Sequence, residues 1–334
     1  MQVLTKIIQS QKKELEQKLN ERYLPRNCSA KVRKDDIIII IGPRKAGKAF
    51  YGIHHLSQDS AMGFLSFENE YLKKHPNFEE ILEVLTQVYP NFKTLILDEI
   101  QFLPNWISIA NRLQRKGYQV ILTASNANIL NTEKWMQLSN RHVPIYLFTF
   151  SFNEYLDSFN HKLAESEKKE KFNDFIIQGG YPEPLTKSLN LNEYLQVLFD
   201  SIIYRDIVKR FHVRQAVILE TLAIWLISNI TGEYSMNYLS RQLQISSVHT
   251  VKKYMDYLEE TYLFFSLSRF SLTETDLPRS NKKIYCFDNG IYFTKGQYTN
   301  NYKDSLFKNT VAAEIYKRCK TDGRRLYYWK GRDD

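Results

Sequence analysis

Gly42, Gly47 and Lys48 stand at the spacing G-x-x-x-x-G-K within Gly42-Pro43-Arg44-Lys45-Ala46-Gly47-Lys48-Ala49. Phosphate binding is the chemistry that spacing serves. Two glycines let a loop wrap phosphate oxygens with backbone N–H groups, and the Lys48 ammonium would reach the β- and γ-phosphates. The pattern lacks its final hydroxyl, because position 49 is Ala. A Ser or Thr there ligates Mg2+. Its loss should weaken metal-dependent turnover more than nucleotide binding.

About fifty residues downstream, TLILDEIQ places Asp98 and Glu99 at the end of an apolar run. A carboxylate at a strand end can hold a magnesium shell, and its neighbour can act as base on an attacking water. Acidic residues also end strands as helix caps. A third polar strand end, TASN, brings Ser125 and Asn126. Either could sense a γ-phosphate, and turn chemistry explains them equally well.

The elements that must position these groups are legible as an alternation. Ile37–Ile41 is an apolar run without a period of two, as in a strand buried on both faces. Strand-like segments recur at 61–67, 93–97, 118–125 and 143–150. Helix-like segments occupy 77–89, 104–116 and 128–139, and an amphipathic helix is expected over 3–23. This βαβ order predicts an α/β fold with a parallel sheet covered by helices on both faces. Beyond Ser151 the texture is helical. GGYPEP (179–184) is a turn, and two helices flank the basic segment Arg205–Arg214, where Arg205 and Asp206 are expected to pair locally. MNYLSRQL, QIS and SVHTVKKYMDYLEE read as helix, turn, helix, and strand-like FFSLSRFSL follows. That is the order of a winged helix. KIYCF, a helix over 307–320 and RLYYW are expected to form a further α/β tail.

The 334 residues suit about two domains or three small ones. Hydrophobic residues at 43% and charged residues at 25% exclude a mainly disordered chain. No run approaches the roughly 20 apolar residues of a membrane span. The N-terminus is charged from Lys6 and is not a signal peptide. Cys28, Cys286 and Cys319 stand far apart, which suggests neither a disulfide framework nor a zinc site. A cytoplasmic location is expected. The net charge is +9, and residues 308–332 alone carry eight Lys or Arg against Glu314 and Asp322. This segment is either a polyanion-binding surface or a solvated helix face.

In order, GPRKAGK, LILDEIQ, LTASNANIL, NRHVPIYLFTFSFNEYL, QGGYPE, IIYRDI and IYCFDNG resemble the prokaryotic AAA-type P-loop ATPases that carry a C-terminal domain of unknown function. The resemblance spans about residues 20–334. It implies a P-loop NTPase core over 35–150 after an N-terminal helix (1–34). A helical lid (151–215), a winged helix (216–275) and a partial restriction-endonuclease-like tail (276–334) would follow. It implies ATP and Mg2+ as ligands, with Gly42, Pro43, Arg44, Lys45, Ala46, Gly47, Lys48 and Ala49 around the phosphates. Asp98 falls on the metal position, Glu99 on the water-activating one and Ser125 on the sensor. Arg141 falls on an arginine finger or sensor, which in trans would need a homo-oligomer. Gly179, Gly180 and Pro182 match a lid turn. Three departures bear on activity: Ala49 replaces Thr, Ala124 replaces Gly, and GRDD stands where the family continues into an acidic strand motif. Nuclease cleavage is therefore not expected.

Two functions follow as expectations. The first is an ATP-binding protein that hydrolyses ATP weakly or not at all and moves its lid and winged helix with nucleotide. The alternative is a non-catalytic DNA-binding or scaffold protein using the winged helix and the basic segment. Near-neutral charge along the second helix (His249, Lys252 and Lys253 against Asp256, Glu259 and Glu260) speaks against groove entry.

Overall fold

A computed structural model describes residues 2–28, 30–33, 35–56, 61–130, 132–138, 141–159, 161, 163–271, 281–296 and 302–331. The chain divides into two units, Met1–Gly42 with Ala46–Leu147, and Pro43–Lys45 with Phe148–Asp334.

The first unit is built on five parallel strands: β1 (Ile37–Ile41), β2 (Met62–Ser66), β3 (Thr94–Asp98), β4 (Gln119–Ala124) and β5 (His142–Tyr146). Their order is β2-β3-β4-β1-β5. All five isoleucines of β1 are buried, as an unalternating β-branched run requires when both faces are covered. The register brings Ile41 level with Ala124 and Leu97 level with Leu122, so β1, β3 and β4 end together. Successive connections leave β1 and β4 in opposite directions. Such a switch point opens a crevice at the strands' carboxyl ends.

Helices α1 (Gln2–Asn20), α2 (Lys48–Tyr51), α3 (Glu70–Lys74), α4 (Phe78–Val88), α5 (Trp106–Arg115) and α6 (Thr132–Gln137) complete this unit. The buried stripe Leu4, Ile8 and Leu15 seats α1. Between them the Gln11 amide closes the edge of β2: its Nε2 donates to Ser66 O at 3.0 Å, and Ser66 N–H donates to its Oε1 at 2.7 Å. An open sheet edge is thereby satisfied by a side chain. The strand expected over 143–150 is shorter than its apolar run. Leu147 N–H still reaches Ile41 O at 2.8 Å, whereas Phe150 N–H bonds Gly180 O at 2.7 Å.

The second unit contains α7 (Phe152–Asp157), α8 (Glu165–Gln178), α9 (Pro182–Lys187) and α10 (Leu191–Asp200), which continues as a π-helical segment over Ser201–Lys209. Next come α11 (Ala216–Ser228), β6 (Glu233–Tyr234), α12 (Met236–Gln242), α13 (Val248–Glu260), β7 (Phe264–Ser268), β8 (Lys282–Cys286), α14 (Tyr292–Lys295) and α15 (Tyr302–Thr321). β6, β8 and β7 form an antiparallel sheet in that order. The KIYCF strand, expected in a separate tail, is β8. It pairs along β7 from Cys286 opposite Phe264 to Lys282 opposite Ser268, across the boundary expected at residue 275. Its Ile284 and Cys286 join a core with Leu222, Leu239, Val251 and Leu258. Among the described residues RLYYW makes an isolated bridge, Tyr328 with Arg269.

The QGG and DNG motifs meet in a buried polar knot. Asp288 accepts from Gly180 N–H at 2.9 Å and Gly290 N–H at 3.0 Å. Asn289 Nδ2 donates to Ile176 O at 2.7 Å and Leu306 O at 3.0 Å, and Asn309 bonds both backbone groups of Cys286. A side chain on Gly179, at φ +76°, would place its Cβ 1.8 Å from Asp288 Oδ1. Burial pushes the Asp288 carboxyl up, against the opposing pull of Lys317 and the two N–H donors.

Candidate functional site

The loop leaving β1 is set by steric limits. A Cβ on Gly42 would lie 1.8 Å from Leu147 O, so only glycine lets the chain pass the end of β5. Gly47 has φ +90° and Lys45 φ +62°, left-handed conformations that turn the chain back into α2. Arg26 Nη1 donates to Ala46 O at 2.8 Å and holds this turn from the α1–β1 connection.

Lys48, the first residue of α2, is buried at 5% exposure. Its Nζ donates to Ser125 Oγ at 2.8 Å and lies 3.7 Å from Glu99 Oε1. Ser125 Oγ donates in turn to Glu99 Oε1 at 2.6 Å. The ends of β1, β3 and β4 thus converge on one ammonium, one carboxylate and one hydroxyl. Glu99 reaches this position because its backbone is left-handed, φ +55° and ψ +49°. Its N–H donates to Thr123 Oγ1 at 3.0 Å, and Gln101 Nε2 donates to its Oε2. A non-glycine residue held there costs about 1–3 kcal/mol, the kind of strain that clusters at working sites.

Asp98 is held separately. Thr123 Oγ1 donates to its Oδ1 at 2.6 Å and Ser66 Oγ to its Oδ2 at 2.9 Å. Its carboxyl is pushed up, first by burial and then by the charge of Glu99, with Thr123, Lys18 and Lys48 opposing. Thr123, Ser66, Gln101 and Arg26 carry no role in the sequence reading, although Thr123 lies in TASN and Gln101 in LILDEIQ. The polar residues ending β2 and β4 were a signal for the first two.

Among the other expected residues, Asn126 makes a turn: its Oδ1 accepts Asn128 N–H at 2.8 Å. Arg141 is not brought to Lys48. Ile37 N–H donates to Arg141 O, so Arg141 stands at the opposite ends of β1 and β5, where its exposed guanidinium pairs with Asp35 at 3.3 Å. A five-residue strand spans about 16 Å, which excludes contact with the Lys48 group of the same chain. Arg44 and Lys45 pair within the second unit. Both Asp206 oxygens accept from Arg44 Nη1, at 3.2 and 3.3 Å. Lys45 lies 3.3 Å from Glu183. Burial alone would raise the Glu183 carboxyl; Lys45 and Lys187 outweigh it, and the net shift is downward.

The residues present suit a phosphate chain better than a resident metal. Ala49 offers no side-chain oxygen, and among the described residues no cluster of three or more His, Cys, Asp or Glu could hold an ion. Magnesium would take Asp98 together with phosphate oxygens and water, a common arrangement for this ion.

Charge in the second unit is redistributed by pairing. On α13, Glu260 pairs with Arg210 at 3.0 Å and Glu259 accepts from Ser266 Oγ, while His249, Lys252, Lys253 and Asp256 remain exposed. The exposed face is therefore more basic than the whole helix. In the 308–332 segment, Lys308 pairs with Asp304 at 2.7 Å, Arg318 with Glu314 at 2.8 Å and Lys330 with Glu233 at 3.0 Å. Among the described residues no helix is long and apolar enough to cross a membrane.

Comparison with known proteins matches residues 34–156 to a family described as an AAA domain and residues 169–299 to a domain of unknown function. An uncharacterized protein of Haemophilus influenzae is 28% identical over 301 residues, covering 85% of this chain and 75% of that one. Another from Methanocaldococcus jannaschii is 27% identical over 326 residues, covering 92% and 73%. Among solved structures, the replication initiator DnaA bound to AMPPCP and single-stranded DNA aligns over 68% of this chain and 82% of its own, at 18% identity and a TM-score of 0.28.

Proposed function

We propose, for a chain whose residues 34–156 match a family described as an AAA domain and whose residues 169–299 match a domain of unknown function, that the β1 loop binds ATP and that hydrolysis is weak or absent. One observation carries the reading: Lys48 is held by Ser125 and Glu99 where three strands end. A cation buried there against the Glu99 carboxylate is poised to exchange that contact for phosphate oxygens. On that exchange the Lys48 ammonium would contact the terminal phosphates. Glu99, released from Lys48 but still bonded by Gln101, would orient a water for attack. Ser125 would donate to the γ-phosphate. Asp98, steadied by two hydroxyls, would meet a metal ion. Bound Mg2+ would neutralise phosphate charge; Ala49 withholds one of its usual ligands.

Arg44 and Lys45 lie in the same loop and hold Asp206 and Glu183 of the helical segment. Phosphate would compete for both cations. This supports the reading that nucleotide moves the lid (151–215) and the winged helix, whose element order β6, α12, α13, β7, β8 fits that name. A cytoplasmic ATP-binding switch is the resulting picture, with Arg141 available only to a second copy. Calorimetric titration with ATP and Mg2+ tests it. Binding is expected for the wild type and none for Lys48→Ala; equal binding by both would overturn the reading.

A second reading rests on the exposed His249, Lys252 and Lys253 at the start of α13. It makes this helix a duplex-DNA contact whose affinity falls steeply with salt and is indifferent to ATP.

A further inference from the structure

The buried stripe of α1 runs Leu4, Ile8, Gln11 and Leu15, in alternating steps of four and three. Its next member is Lys18, half-buried where an apolar residue would continue the helix face. A charge in that row calls for a partner. The Lys18 carbonyl accepts from His54 Nε2 at 2.9 Å, so the last turn of α1 is tied to the π-helical segment Gly52–Leu56 that follows α2. The Lys18 ammonium lies 4.8 Å from the Phe64 ring centroid, over β2.

That position is on the Asp98 side of the sheet. β2 and β3 are parallel, with Phe64 level with Ile96 and Ser66 level with Asp98. Side chains two residues apart share a face, so Phe64, Ser66, Ile96 and Asp98 line one side. The bond from Ser66 Oγ to Asp98 Oδ2, 2.9 Å long, fits that shared face. From Phe64 to Ser66 is about 7 Å along the strand, within the sweep of a lysine side chain. Lys18 and Lys48 both pull the Asp98 carboxyl down, against burial and the charge of Glu99. Two carboxylates therefore face two ammoniums, a set balanced in charge before any metal enters.

We propose that nucleotide binds here without a divalent metal, the Lys18 ammonium meeting the phosphate charge that Mg2+ would otherwise carry; this rests on the ATP reading of the β1 loop. A hydroxyl at position 49 would share the metal with Asp98, and Ala49 supplies none. Mg2+ demands near-octahedral oxygen geometry and dehydrates reluctantly, so a site with one carboxylate holds it less well. A dication entering beside Lys18 and Lys48 also meets like charge, whereas metal-free ATP meets two ammoniums. The Lys18 ammonium is a compact charge on a flexible stem, able to leave the Phe64 ring for a phosphate oxygen. A lysine kept only to cover β2 would lose nothing when its charge is removed.

Calorimetric titration of the full chain with ATP, in excess EDTA and in excess Mg2+, tests the assignment. Wild-type affinity in EDTA should lie within about threefold of that in Mg2+. Lys18→Met keeps the apolar stem of the side chain and removes its charge. It should weaken binding in EDTA by about tenfold to a hundredfold, the loss of one charged hydrogen bond, and by no more than about threefold in Mg2+. Lys18→Arg should retain most of the affinity in EDTA. Thermal melts should show Lys18→Met no less stable than the wild type, because the position continues a buried apolar stripe. Lost affinity is then not lost folding. A wild type that needs Mg2+ to bind overturns the proposal and leaves the ATP reading standing. So does a Lys18→Met variant that binds as the wild type does in EDTA, or that loses affinity equally in both buffers. No binding of ATP in either buffer, or equal binding by Lys48→Ala, overturns the ATP reading and this proposal with it.

Discussion

On the proposed reading, a methyl group at position 49 stands where a hydroxyl would ligate metal, while Lys48, Asp98, Glu99 and Ser125 gather at the strand ends. Ala49→Thr should therefore raise Mg2+-dependent hydrolysis by about tenfold or more while leaving ATP affinity within about threefold. Coupled phosphate-release assays and calorimetry read the two quantities; affinity rising without turnover would count against the ligand argument. Asp98 yields a second prediction at this scale. Burial first, then Glu99, raises its folded pKa above the unfolded value. Its contribution to stability is full below the unfolded pKa and is lost as pH rises through the folded one. Asp98→Asn removes that loss. The Tm of the variant should gain on the wild type as pH goes from about 4 to about 8, and a constant gap in thermal melts would disprove it.

Elements were legible where physics is local. The isoleucine run without alternation meant a strand buried on both faces, and β1 is that strand; the strand ends at Asp98 and Ala124 also fell within a residue of expectation. Non-local pairing was not legible. KIYCF reads as a strand from its own residues, but nothing in them names β7 as its partner. RLYYW has the composition of a strand and, among the described residues, makes an isolated bridge at Tyr328. Nothing in the sequence announces that Asp206 accepts from Arg44, 162 residues away. The glycines separate local from tertiary demands in the same way. Gly117 (φ +86°) meets nothing within 4 Å, so Gly117→Ala should cost only the left-handed strain, about 1–2 kcal/mol. Gly179 (φ +76°) adds a collision with Asp288 inside the buried knot. Gly179→Ala should cost about 3 kcal/mol or more. Denaturant melts compare the pair, and equal losses would mean that the knot does not constrain the turn.

At the scale of the whole molecule, Arg141 and Lys48 belong to opposite ends of one parallel sheet, and that placement governs what nucleotide can do to stability. A ligand that binds only the folded chain stabilises it by RT ln(1 + [L]/Kd), about 2.7 kcal/mol at a hundred times Kd. For a unit of this size that is a Tm rise of several degrees. Lys48→Ala should abolish the rise with ATP. Arg141→Ala should keep all of it, because the Arg141 guanidinium is exposed and salt-bridged to Asp35 about a strand's length from the phosphate loop. The same variant should lower hydrolysis only where copies associate, so that turnover per chain climbs with protein concentration in the wild type and stays flat in Arg141→Ala. Thermal shift and concentration-dependent turnover, measured on the same three proteins, separate these roles. Loss of the ATP shift in Arg141→Ala would require the guanidinium to reach phosphate within its own chain, against the register of β1 and β5.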